Sequence, residues 1–292
     1  MKNCTTVIFS RNRSLQLHLT LSTLFNHCSD IEKESIFNVL YKNDPEHEKS
    51  YDTLKTEFPT VNFVKETNFK QDLLNLVKPH ESNISWGSVP PYMVVFITDD
   101  TIFTDDFSMK KSISTLVENK DAIGLSLRLG LNTFRCFPYN CDQKIPKVKN
   151  ISDNILKYNW QTAEYDFGYP LELSSSIYPL NNIIEILENC QYNSPNSLES
   201  RMSECVLGDK SNLLMFEKSV AFSAPLNKVQ STHPNRSANF SPDTFRVMYE
   251  KGIRINPKQF NGYASNGAHD IPEKIEVIDK NERSSKHLNS NI

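Results

Sequence analysis

Residues 92–106 read YMVVFITDDTIFTDD. An apolar run from Tyr92 to Ile97 ends on Thr98, Asp99 and Asp100. A carboxylate at the end of a buried segment is costly unless it is paired or binds a cation. Hard oxygen ligands suit Mg2+ or Mn2+, and both cations also take phosphate oxygens. Two adjacent acids can thus hold a cation that holds a diphosphate, which the acids alone would repel. The competing reading is that Asp99 and Asp100 cap the next turn, where aspartate is common. Asp105 and Asp106 precede an expected helix and suit the positive end of its dipole.

The elements around these acids alternate. Strands are expected at Val7–Ser10, Ile36–Tyr41, Val61–Val64, Tyr92–Ile97 and Ala122–Leu129. Between them, Leu17, Leu21, Leu24, Phe25 and Cys28 fall at helical spacing, with Asn12 or Ser14 available as N-cap. Tyr51, Leu54 and Phe58 mark a second helix, Phe69, Leu73, Leu76 and Val77 a third, and Ser108–Asn119 a fourth. A polar loop is expected at 80–91. This alternation predicts an α/β fold, a mainly parallel sheet flanked by helices. Ligands of such sheets bind beyond the carboxyl ends of the strands, here Ser10–Arg13, Tyr41–Asp44, Lys65–Asn68 and Thr98–Thr101. The second half is less regular, with helices expected at Leu180–Leu187, after Ser194 and at Pro242–Tyr249.

Composition narrows the function classes. The chain has 292 residues, 23% charged and 10% aromatic, with a formal net charge of −3. That balance gives no support for a nucleic-acid binder or a basic membrane-surface protein. No apolar run reaches the roughly 18 residues of a membrane span, and the first residues lack the pattern of a signal peptide. The six cysteines are scattered, fit no common zinc spacing, and read as reduced thiols of a cytoplasmic protein.

Several stretches together resemble glycosyltransferases of the GT-A fold. They are Phe9-Ser10-Arg11-Asn12-Arg13, Phe96-Ile97-Thr98-Asp99-Asp100-Thr101-Ile102-Phe103, and Leu125-Ser126-Leu127-Arg128-Leu129-Gly130 with Asn132. Ser194-Pro195-Asn196-Ser197-Leu198-Glu199 and Asn266-Gly267-Ala268-His269 complete the set, in the order of bacterial enzymes of this kind. Thr98-Asp99-Asp100 then stands where the family has an Asp-x-Asp triplet. The resemblance implies Asp100 as a direct metal ligand and Asp99 on the ribose or behind that ligand. Related chains often carry an Asp-Gly pair before Ile-Phe or Ile-Tyr, where this one reads Ser174-Ser175-Ser176-Ile177-Tyr178.

The same resemblance assigns further parts. Ser10, Arg11 and Arg13 would meet the base, ribose or diphosphate of a nucleotide sugar. Glu66 or Asp72 could accept the N3–H of uracil, although Asp72 serves equally well as a solvated helix residue. Arg128, in an apolar strand, must be paired. It would contact the diphosphate or buttress the aspartates. Glu199 is the candidate base for an acceptor hydroxyl. Alternatively, it closes a capping box with Asn196. His269 would return to the metal, and a neutral imidazole suits Mn2+ better than Mg2+. Trp160, Tyr165 and Tyr169 form a sugar-stacking wall or belong to the core.

The expectation is a metal-dependent transferase, using Mn2+ or Mg2+, that moves a sugar from a UDP-sugar to a glycan or other hydroxyl acceptor. Residues 1–135 would bind the donor, 136–275 the acceptor, and 276–292 would be a disordered tail. A sugar nucleotidyltransferase is the first rival. It usually carries a Gly-rich loop after its first strand, whereas none of the 8 glycines here precedes residue 87. The second rival is a non-catalytic nucleotide-sugar or glycan-binding protein of the same fold.

Overall fold

A computed structural model describes residues 2–78, 92–205, 210–228, 236–280 and 284–290. The loop expected at 80–91 falls outside them. The chain begins with β1 (Cys4–Arg11), α1 (Ser14–His27), α2 (Ile31–Glu34), β2 (Ser35–Lys42), α3 (Glu48–Glu57), β3 (Asn62–Lys65) and α4 (Phe69–Val77). Next come β4 (Met93–Thr98), β5 (Thr101–Phe103), α5 (Met109–Glu118), β6 (Ala122–Ser126), β7 (Arg135–Cys136) and β8 (Cys141–Asp142). They are followed by β9 (Val148–Ser152), β10 (Ile155–Asn159), β11 (Ser175–Pro179), α6 (Leu180–Asn189), α7 (Pro195–Ser203) and β12 (Asn212–Phe216). The chain closes with β13 (Ala221–Ser223), α8 (Pro242–Glu250), β14 (Ile253–Ile255), β15 (Lys274–Asp279) and β16 (Ser284–Asn289).

One sheet runs β3-β2-β1-β4-β11-β6-β12-β10-β9. The pairs β1–β2, β1–β4, β2–β3 and β6–β12 are parallel, while β11 runs against both β4 and β6. The architecture is the expected mainly parallel α/β sheet. Strands from both halves of the chain share it. Successive side chains of a strand point to opposite faces, and the core divides accordingly. Ile8, Val95 and Ile97 join the cluster under α1, α3, α5 and α8. Val7, Phe9, Val94 and Phe96 join the one under α4, α6 and α7. Burial on both faces explains why β1 and β4 read as unbroken apolar runs rather than alternating ones.

Three local expectations change. The N-cap of α1 is Arg13, whose side chain makes no cap bond. Strand β6 stops at Ser126 instead of Leu129. Leu127 still donates its N–H to the Ser175 carbonyl of β11, but its carbonyl accepts from the N–H groups of Val220 and Ala221, and the ladder ends there. Residues 276–292, read as a disordered tail, instead contribute to β15 and β16 over the described part. With β14 these strands form a small antiparallel sheet. The alternation Ile275, Val277 buries one face of β15, which gives its polar sequence a reason to fold.

Candidate active site

The acid pair follows the carboxyl end of β4, between β1 and β11 at the centre of the sheet. Asp99 is buried. Its Oδ2 accepts the backbone N–H of Arg11 (3.1 Å), and its carbonyl accepts from the Thr20 hydroxyl (3.0 Å). Asp100 is turned by Thr98, whose hydroxyl donates to Oδ1 at 2.8 Å. The cation facing both acids is Arg13: Nη1 lies 3.0 Å from Asp99 Oδ1 and 3.1 Å from Asp100 Oδ2. Arg13 is itself held by Asn227, which accepts from Nε through its side chain (2.8 Å) and from Nη2 through its carbonyl (2.5 Å). Burial pushes the Asp99 carboxyl up, the Arg13 charge opposes this, and the balance lies at about 6. These contacts account for the missing side-chain cap on α1: the residue at the cap position is spent on the acids.

A second ionic centre stands beside the first. Arg128 Nη2 donates to Glu172 Oε2 at 2.8 Å, both groups being buried. Its Nη1 lies 3.1 Å from Ser223 Oγ and 3.3 Å from His269 Nε2, while its Nε has no partner. Glu172 is saturated by the backbone N–H groups of Ser174 and Ser175 and by the Ser176 hydroxyl. Burial, and then the Arg128 charge, drives the His269 imidazole down to about 3, so it is neutral, and its buried Nδ1 is unpartnered. The motif residues Gly130 and Asn132 fix this corner. A Cβ on Gly130 would stand 2.4 Å from the Ser219 nitrogen, and Asn132 Nδ2 donates to Ser219 Oγ and to the Ser265 carbonyl.

The two centres meet across Ser223–Ala224. The Ala224 N–H donates to the Asp100 carbonyl (2.8 Å), and the Ser223 N–H to the Ala268 carbonyl (3.0 Å). Asp100 and His269 are thereby brought to either side of one short segment. On the other flank, the Leu173 N–H donates to Glu199 Oε1 at 3.1 Å. The cap of α7 is Ser194, reciprocated by Ser197, so no capping box involves Asn196 and Glu199. The Glu199 carboxyl is left over for the site. Burial, reinforced by the Glu172 charge, raises it to about 7, where a carboxylate is poised to accept a proton at neutral pH.

The other expected residues run from the edge of this site outward. Ser10 is buried with its hydroxyl on Tyr51 OH (2.6 Å) and beside the Asp99 carboxylate, and the Arg11 side chain is exposed. Glu66 meets Lys42 at 3.4 Å. Asp72 accepts from the backbone N–H groups of Thr67 (2.7 Å) and Asn68 (2.8 Å), which commits it to the start of α4. Both acids flank the end of β3, three strands and about 14 Å from β4. Trp160 donates its indole N–H to the Lys210 carbonyl and packs on the core, and Tyr165 is exposed, whereas the partly exposed Tyr169 donates its hydroxyl to the Glu199 carbonyl at 3.5 Å. Sequence reasoning missed Glu172, Ser223 and Asn227. Glu172 carried a signal, an acid within the buried run Leu171-Glu172-Leu173, read by the same logic that singled out Arg128. Ser223 and Asn227 carried none.

Among the described residues, no three His, Cys, Asp or Glu side chains stand together as a ready-made metal site. The donors present nevertheless suit a divalent cation. They are the Asp100 carboxylate, whose oxygens accept from Thr98 and Arg13, and the neutral His269, whose Nε2 accepts from Arg128 so that the unpartnered Nδ1 carries the ring proton. A cation would take Asp100 and Nε2 by displacing these arginines.

Comparison with known proteins adds a relative. Over 195 residues, 62% of this chain, it is 31% identical to the bifunctional glycosyltransferase pgtA of Dictyostelium discoideum. The chain is a relative of a glycosyltransferase. It spans 24% of the length of that protein. No protein-family model matches. Among solved structures, S. aureus TarS 1–349 in complex with UDP-GlcNAc gives a TM-score of 0.46 at 11% identity, covering 89% of this chain and 69% of that one. A mannosyltransferase from Pyrobaculum calidifontis in complex with GDP-Man and Mn2+ gives 0.34 at 6% identity, over 64% and 47% of the two chains. These superpositions of glycosyltransferases are loose, and the architecture rests on the chain's own sheet.

Proposed function

We propose that this chain transfers a sugar from a nucleotide sugar, a UDP-sugar, to a hydroxyl of a glycan acceptor. The observation that carries the reading is the convergence at one sheet edge of the acid pair, the Arg128–Glu172–His269 centre and Glu199. The sequence relation to a glycosyltransferase supports it. The nucleotide would lie along the carboxyl edge from β3 to β4. Glu66, paired with Lys42 at 3.4 Å, is the less committed acid at the outer end to accept a uracil N3–H, since Asp72 is held by the Thr67 and Asn68 N–H groups. Asp99, buried and held by the Arg11 N–H and Arg13, would stand behind Asp100 rather than on the ribose. Arg128, with Nε still unpartnered, would donate to the diphosphate. Asp100 and His269 would hold Mn2+ or Mg2+, which would stabilise the departing diphosphate as a Lewis acid. Glu199 would accept the proton of the attacking hydroxyl in an inverting transfer.

Calorimetric titration of UDP tests the reading, with Mn2+ and then with EDTA. Binding that requires Mn2+ and is lost in Asp100→Ala is expected. Binding of equal strength in EDTA would remove the metal from the scheme. No binding of UDP, GDP or CMP would end the enzyme reading. Tight UDP binding without hydrolysis or transfer of any UDP-sugar would leave a binding protein of the same fold.

A further inference from the structure

The turn between β7 and β8 and the 3-10 turn at Tyr165–Gly168 put two aromatic rings side by side at the surface. Tyr139 is 72% exposed and Tyr165 43%, and their centroids are 5.4 Å apart with the ring planes inclined at 49°, which makes an open aromatic corner. Exposed aromatics are ordinarily unremarkable when single. Here the backbone departs from its preferred range to present them. Tyr165 has φ of 50°, in the left-handed region that bulky residues avoid. Such strain persists only where the surroundings impose it, and it clusters at ligand-binding positions. Asn140, beside Tyr139, is also left-handed, a conformation asparagine tolerates.

Both rings are tied to the site by near neighbours in the chain. Two residues before Tyr139, the Phe137 ring stacks 6.3 Å from the His269 ring. One residue after Tyr165, Asp166 is fixed by Gln143, whose Nε2 lies 3.2 Å from its Oδ2. Gln143 also donates to the Thr133 carbonyl, and Arg135 pairs with the Asn266–Gly267 segment that leads to His269.

The local chemistry selects the ligand. A phenol offers an apolar face and a polar tip, which matches a pyranose with its C–H face and hydroxyl rim. The two neighbouring arginines are engaged. Arg135 pairs with Asp142 at 2.8 Å, and Arg236 donates to the Asn140 side chain and lies over the Phe137 ring at 4.7 Å.

We propose that Tyr139 and Tyr165 form a carbohydrate subsite, an aromatic corner in which a neutral sugar ring of the acceptor glycan stacks on one ring and abuts the other. This rests on the function proposed above, and the test separates the two. Labelled protein with UDP and Mn2+ is applied to a glycan array, and UDP affinity is measured in parallel by calorimetry. Wild type should bind a subset of neutral glycans. Tyr139→Ala/Tyr165→Ala should bind them about tenfold more weakly or not at all, with UDP affinity unchanged. Tyr139→Phe/Tyr165→Phe should retain binding through the rings. Equal glycan binding by the Ala variant overturns the subsite. So does a wild type that binds UDP but no neutral glycan. Failure of wild type to bind UDP would instead overturn the parent reading.

Discussion

At the scale of single residues, the site is organised by buried charges held against one another. Arg13 serves Asp99 and Asp100, and Arg128 serves Glu172. Glu199 is the exception, since it accepts one backbone N–H and faces a second carboxylate. A base must be ionised to work, so transfer should fall as pH drops below about 7, the value to which Glu199 is raised. Glu199→Gln should lower kcat by about 10²–10⁴ and leave UDP affinity intact. Steady-state kinetics across pH 5–9 and calorimetry check both. The same shift has a stability sign. The folded chain keeps this proton up to about 7, whereas the ordinary carboxyl releases it near 4.5. The stabilisation is therefore complete below 4.5 and lost as pH rises through 7. Thermal unfolding of Glu199→Gln should accordingly gain on wild type at pH 8 and not at pH 4. A variant that is less stable at pH 8 would contradict the burial argument.

At the scale of elements, the placement of Glu199 depends on where α7 starts. Ser194 accepts from the Ser197 N–H and Ser197 Oγ accepts from the Ser194 N–H, with Pro195 at the first helical position. Starting the helix there makes Glu199 its fifth residue, one turn in and aimed at Leu173. Ser194→Ala should cost about 1 kcal/mol, a fall in Tm of about 2–4 °C readable by calorimetric scanning. It should lower kcat more than UDP affinity, because the base shifts and the donor edge does not. An unchanged kcat would mean that the helix start does not set the base. The same dependence holds at α1, where Arg13 occupies the cap position but serves the acids.

At the scale of the molecule, Glu57 at the end of α3 ties the small sheet to the large one. Its carboxylate meets Arg254 (3.0 Å), Lys280 (2.7 Å), Tyr249 OH (2.8 Å) and His18 (3.5 Å). Burial raises its pKa, but the bonds from Lys280, Arg254 and Tyr249 outweigh it and bring the group down to about 2. Stability from this hub is present above the ordinary carboxyl range and is lost as pH falls through about 2. Glu57→Gln should cost about 1–3 kcal/mol at pH 7 and flatten the acid limb below pH 4. Denaturant unfolding at pH 7 and pH 3 compares the two. An unchanged acid limb would assign acid sensitivity elsewhere. The hub also shows where sequence reading runs out. Periodicity in the first half carried the layered sheet, because strands buried on both faces must be apolar throughout and the helices between them amphipathic. An acid pair closing an apolar run, and Arg128 inside another, were legible because a buried charge demands a partner whatever the fold. The partners themselves were decided by tertiary structure: Arg13 for the acids, Glu172 for Arg128, Asn227 behind Arg13. Each joins positions far apart in the chain, and no local spacing constrains which side chains a sheet edge brings together. The last strands were missed for a related reason. Residues 274–289 have too few apolar positions to announce a strand, and only the surface they cover makes them fold.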